Sequence, residues 1–161
     1  MIVDVLQCIL PHLGHVRHPV RSTYYFPVNS WRRDMKDGLT EKVIGSAFRV
    51  HNELGFGFLE SVYEKALSIE LTKSGVVHAS QSPIKVHYYD QVVGEFICDM
   101  LVEGRLIIEL KSVSNLAVAH EVQLVNYLVA TKTDVGLLVN FGPDRVDVKR
   151  KYRRHKPRAE N

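Results

Sequence analysis

The chain is expected to form an α/β fold, a mixed central sheet flanked by helices. Two helical-period segments come first, a meander of three apolar runs follows, and a further helical segment precedes two last strands. A meander followed by a crossover helix sets the next strand parallel to one before it, which makes the sheet mixed. The chain has 161 residues of which 45% are apolar, enough for one domain with a real core and hardly for two.

The elements follow from local signals. Residues 1–36 carry Pro11, Pro19 and Pro27 with scattered His12, His15 and His18 and no sustained period, so little stable structure is expected there. The apolar start, residues 1–10, contains Asp4, lacks a basic leader and stops at Pro11, which makes it too short to span a membrane and a poor signal peptide. The patterned sequence begins just after Met35-Lys36-Asp37-Gly38, so Met35 is a candidate native start, with residues 1–34 an upstream translation within the poorly structured extension 1–36. Thr40 is a plausible N-cap for a first helix, with Val43, Ile44, Ala47, Phe48 and Val50 at helical spacing up to Gly55. A second helix over about residues 59–74 is expected to bury Val62, Ala66 and Ile69 and to stop at Gly75. Strands are expected at about 84–89, 95–102 and 105–111, separated by Asp90 and Gly104. A third helix, about 116–131, presents Val118, Val122, Val125 and Val129 as a core stripe, before strands at 135–141 and 146–151.

Chemistry enters through charges placed on apolar strands. Asp99 sits on one run, and Glu109 and Lys111 on the next, among Ile, Leu, Val and Met. A carboxylate is costly to bury unless it is paired or binds a metal. Side chains alternate along a strand, so Glu109 and Lys111 share a face with Ile107. A three-residue loop of Val102, Glu103 and Gly104, with Gly104 left-handed, pairs Leu101 with Arg105 and sets Asp99 opposite Ile107, on that same face. A two-residue turn at Glu103 and Gly104 sends the acids to opposite faces. Asp99 and Glu109 are hard oxygen ligands suited to Mg²⁺ or Mn²⁺, and Lys111 is placed to orient or help deprotonate a water and to offset charge on a phosphate. The alternative for Lys111 is a static ion pair with Glu109 or Asp99.

Asp99, nine intervening residues and then Glu109-Leu110-Lys111 resembles the signature of the PD-(D/E)XK nuclease superfamily. Gly57-Phe58-Leu59-Glu60-Ser61-Val62-Tyr63 is similar to the Gly-x-x-Glu-x-x-Tyr (GxxExxY) proteins of that superfamily, and Gln123 followed four residues on by Tyr127 resembles the same family's helix after the lysine. The resemblance covers roughly residues 39–151. It implies a restriction-endonuclease-like core, a Mg²⁺-dependent nuclease acting on DNA rather than RNA, and Glu60 as the helix acid that joins Asp99 and Glu109 on the metal. Gln123 and Tyr127 share one helix face and can present polar tips to a phosphate or water. Glu60 and Tyr63 share another, with a half-buried structural tyrosine as the plain alternative for Tyr63. His120, on the Gln123 face, reads as structural.

Charge and composition bound the rest. The net charge is +3, but Lys149, Arg150, Lys151, Arg153, Arg154, Lys156 and Arg158 crowd one end. The resemblance makes residues 37–151 a PD-(D/E)XK-like domain, and the charge makes 152–161 a basic tail, with Lys149, Arg150, Lys151, Arg153 and Arg154 as candidates to grip a nucleic-acid backbone. Tyr152 is the aromatic this end offers, which does not suggest a single-strand stacking platform in the tail. Cys8 and Cys98 are far apart and Cys98 lies in a strand, which disfavours a disulfide framework or zinc cluster and suits a reducing cytoplasm. Gly55-Phe56-Gly57 is not followed by Lys and Ser/Thr, so nucleotide-triphosphate hydrolysis has no support. A chain this short calls for a homodimer, a protein partner or low specificity. The rival reading is a non-catalytic nucleic-acid-binding or assembly protein that retains the fold with its acids locked in ion pairs.

Overall fold

A computed structural model describes residues 38–153. The readings for residues 1–36, Met35 as a start, Cys8, Arg154 and the rest of the tail lie outside the described residues. In chain order the elements are α1 (Leu39–Leu54), α2 (Glu60–Lys73), β1 (His78–Tyr88), β2 (Gln91–Val102), β3 (Leu106–Lys111), α3 (Val118–Thr131), β4 (Val135–Phe141) and β5 (Val146–Tyr152). The strands form a five-stranded sheet in the order β1-β2-β3-β4-β5. All neighbours are antiparallel except β3 and β4, which run parallel because α3 carries the chain back between them. This is the expected α/β arrangement.

Strand alternation sends residues to two cores. Met100, Val102, Leu106, Ile108 and Leu110 pack with Val43, Ala47 and Val50 of α1 and Tyr63, Leu67 and Leu71 of α2. Ile107 and Leu138 pack with Leu124, Tyr127 and Leu128 of α3. No described helix is long and apolar enough to cross a membrane.

Each helix departs from its expected face or start. α1 begins two residues early, capped by Gly38 at φ 66°, and Thr40 lies inside it, buried, accepting a hydrogen bond from Arg150 at 2.6 Å. α2 buries Tyr63, Leu67 and Leu71, leaving Val62 and Ile69 exposed and Ala66 partly buried. α3 buries Leu124, Tyr127 and Leu128, whereas Val118 is 75% and Val129 57% exposed. Both helices carry two apolar stripes at helical spacing, so spacing alone could not choose between them. In α3 the choice follows from Gly136 of β4: a Cβ there would stand 2.7 Å from Leu124 Cδ1, so the missing side chain is the seat for Leu124. β1 also starts well before the expected residue 84, through a polar stretch whose Ser80 and Ser82 pair with Met100 and Cys98.

Asn140 of β4, fully buried, ties the sheet to the segment after Lys111. Its Nδ2 donates to Val113 O at 2.8 Å and its Oδ1 accepts from Val113 N at 3.0 Å. Asn140→Ala leaves a buried backbone N–H and C=O without partners, and a loss of roughly 2–4 kcal/mol in urea unfolding is expected.

Candidate metal and acid site

The β2–β3 hairpin brings the acids together by a register different from the one expected. Val102 pairs with Leu106, Leu101 with Ile107 and Met100 with Ile108. Continued by one step, that register puts Asp99 across from Glu109 rather than Ile107. The loop is Glu103-Gly104-Arg105, closed by a hydrogen bond from Arg105 N to Val102 O at 3.0 Å with Glu103 at φ 47° and Gly104 at φ 65°. The cause is burial: Val102 stays in the strand, fully buried, while charged Arg105 moves into the loop and pairs with Glu103 at 2.9 Å. Both loops hold three residues, so partners shift by an even step and the acids keep a common face.

At this point the ladder between β2 and β3 opens and side chains take over. Asp99 Oδ2 accepts from Leu110 N at 2.7 Å. Burial raises the Asp99 pKa, opposed by that amide and by Lys111 and reinforced by Glu60 and Glu64. Glu109 is 3% exposed, and burial pushes its pKa up to about 7 against the pull of Lys111. Its Oε1 accepts from Lys111 Nζ at 2.8 Å, and its Oε2 is a fully buried oxygen with no hydrogen-bond partner. Burial would lower the Lys111 pKa, but the hydrogen bond to Glu109 and the charges of Glu109, Glu60 and Asp99 outweigh it and raise it. Lys111 therefore stays an ammonium at neutral pH. Glu60, the first residue of α2, lies 4.0 Å from Lys111 Nζ.

A cleft of about 760 Å³ opens beside this cluster, lined by Phe56, Phe58, Glu60, Glu64, Asp99 and Ser112 among others. Sequence reading missed Glu64, although its position four residues after Glu60 places both on one helix face. It also missed Gln81, which sits at φ 51° between the Ser80–Met100 and Ser82–Cys98 pairs, hence across from Asp99, with its amide hydrogen-bonded to Glu64. No sequence signal marks a non-glycine residue for that backbone region.

Gln123 and Tyr127 lie elsewhere. Gln123 Nε2 donates to Tyr127 OH at 2.9 Å, and both line a second groove of about 1030 Å³ with Phe96 and Val122, between α3 and the β1–β2 hairpin. His120 is structural, its Nδ1 accepting from Ala117 N at 3.3 Å. Tyr63 is fully buried rather than half-buried. The basic strand is committed to acids: Lys149 and Lys151 share Glu121, Arg150 meets Glu41 at 3.4 Å, and Arg153 meets Asp134 at 2.6 Å. The two lysines hold the Glu121 pKa down. Cys98 is a free buried thiol, pushed up to about 11 by burial and then by Glu109 and Asp99.

Among the described residues no three His, Cys, Asp or Glu side chains converge closely enough to enclose a metal by themselves. The donor set nonetheless fits one hard cation, because Mg²⁺ is commonly held by one or two carboxylates and keeps several waters, and Glu109 offers a buried oxygen that nothing else satisfies.

A mixed sheet with an acid on its second strand, Glu-x-Lys on its third and an acid from a preceding helix defines a nuclease-type core. The pattern of the PD-(D/E)XK nuclease superfamily matches residues 37–154, and the chain belongs to that superfamily. That superfamily is one of nucleases, which typically use divalent metals. Among solved structures, the crystal structure of SSO0001 is 19% identical, covers 58% of this chain and 50% of that one, and has a TM-score of 0.49. The chain thus spans about half the length of that protein. No curated protein matches the sequence.

Proposed function

We propose that the protein is a cytoplasmic, Mg²⁺-dependent nuclease of the GxxExxY type that hydrolyses phosphodiester bonds in DNA, with residues 37–151 as its catalytic domain. The observation that carries this reading is the buried Glu109, with one oxygen on Lys111 and the other unpartnered, next to Asp99. Glu109 and Asp99 would hold the cation, with Glu60 at the rim. When bound, Mg²⁺ or Mn²⁺ polarises a phosphate oxygen and lowers the pKa of a bound water. Lys111 keeps Glu109 oriented and offers ammonium protons to a phosphate oxygen as negative charge builds there. Glu109, Glu60 and Asp99 raise its pKa in the metal-free chain, and with a cation on those acids Lys111 would also orient or help deprotonate the attacking water. Gln123 and Tyr127 would contact the strand along the α3 groove. Lys149, Arg150, Lys151 and Arg153 would grip a backbone only by exchanging their present acid partners.

The test is incubation of labelled single-stranded, duplex and branched DNA, and of RNA, with and without Mg²⁺ or Mn²⁺. Metal-dependent cutting with DNA preferred is expected. The Lys111–Glu109 ion pair at 2.8 Å favours a second reading, a non-catalytic nucleic-acid-binding or assembly protein. Binding of nucleic acid without cutting in either metal, and without any rise in melting temperature on adding Mg²⁺, would move the assignment there.

A further inference from the structure

The segment between α1 and α2 exposes large apolar side chains at the mouth of the acid-lined cleft. Phe56 is 42%, Phe58 48% and Leu59 75% exposed, and all three line the cleft that Asp99 and Glu60 also line. Yet the segment is held firmly. Tyr63 OH donates to Gly55 O at 2.7 Å and accepts from Phe58 N at 3.4 Å, while the Tyr63 ring stacks on Phe141 at 4.2 Å. Ser112, the residue after Lys111, donates its hydroxyl to Phe58 O at 2.8 Å. Exposed rings are thus fixed to the same frame as the acids.

The charged side chains lining the cleft are Glu60, Glu64 and Asp99, all acids, so phosphate pairing by cations does not explain an apolar rim there. A nucleobase fits it, because every base has an apolar π-face and base–aromatic stacking does not depend on sequence. In a duplex that face is covered by neighbouring bases, so the fitting partner is an unpaired nucleotide. Resting on the nuclease reading above, we propose that Phe56, Phe58 and Leu59 form a stacking rim for an unpaired base next to the scissile phosphate, with Tyr63 and Ser112 as positioning residues. The enzyme then selects DNA with single-stranded ends, gaps or flaps over fully paired DNA. The Gly57–Tyr63 motif drew attention to Glu60 and Tyr63, so the rings of Phe56 and Phe58 were not linked to the site.

The full chain should be assayed on two labelled DNAs of equal length, one blunt and one with a short unpaired tail carrying 2-aminopurine. Wild type is expected to cut the tailed DNA at lower KM and to quench its fluorescence. Phe58→Ala should raise KM for tailed DNA by about 5- to 100-fold with little change in kcat and no change on blunt DNA. Phe58→Trp should restore it. Tyr63→Phe, which keeps the ring on Phe141 and removes the hydroxyl, should shift KM in the same direction by less. If wild type cuts but Phe58→Ala leaves KM unchanged, or changes both DNAs alike while melting as wild type, the rim is overturned and the nuclease stands. If wild type cuts neither DNA with Mg²⁺ or Mn²⁺, the nuclease reading falls and the rim with it.

Discussion

Glu109→Gln is expected to lower metal-dependent cleavage by about a thousandfold or more while leaving the fold intact. The amide keeps the volume and shape of a fully buried side chain, so packing with its neighbours is retained. What it removes is the anionic oxygen pair, one member of which has no other partner in the protein. A divalent cation held by Glu109 and Asp99 would lose its most buried ligand, and with it the water activation and phosphate polarisation it would supply. Lys111→Ala should have an effect of similar size for a related reason. Without the ammonium, Glu109 is a buried carboxyl with neither oxygen satisfied by Lys111, its pKa rises further, and it binds a cation poorly at neutral pH. Because the pair acts as a unit, the double variant should be little worse than either single one. Single-turnover cleavage with Mg²⁺, together with the Mg²⁺-induced shift in melting temperature, checks both points. Cleavage by Glu109→Gln within tenfold of wild type would remove Glu109 from the metal site.

The second large effect is on stability as a function of pH. Glu109 has an ordinary pKa of 4.5 when unfolded and about 7 when folded. Between those values the folded chain holds a proton that the unfolded chain has released, so stability falls as pH rises through this window and levels off above it. The shift corresponds to about 3 kcal/mol. Asp99, raised in the same direction, adds to the fall at the acidic end. Thermal unfolding of the metal-free protein from pH 5 to 8 should show the decline, and Glu109→Gln should flatten most of it. Added Mg²⁺ should reverse the slope, since the cation binds the ionised form and stabilises the folded state most where Glu109 has lost its proton. A wild-type profile that rises over this range without metal would mean that Glu109 is better solvated than its burial indicates.

The chain by itself determined whatever depends on local conformation or on parity. The order of elements, the positive φ of Gly104 and the common face of Asp99, Glu109 and Lys111 follow from periodicity, turn chemistry and the two-residue alternation of strands. The face survived a register displaced by two residues because an even shift preserves it. Tertiary structure decided what two equally good local patterns left open. Val118, Val122 and Val129 make as good a helical stripe as Leu124 and Leu128, and the sheet chose the latter because Gly136 leaves room for Leu124. Tyr63 became a fully buried post because Phe141, far along the chain, supplies the ring it stacks on. The basic strand was read as a phosphate grip, whereas Glu41, Glu121 and Asp134 come to it from other elements and occupy its charges. Gln81 beside Asp99, and Phe58 over the cleft, are likewise placed by partners distant in sequence. Local signals act over a turn of helix or one strand pair, while burial and charge pairing are settled only when separated segments meet.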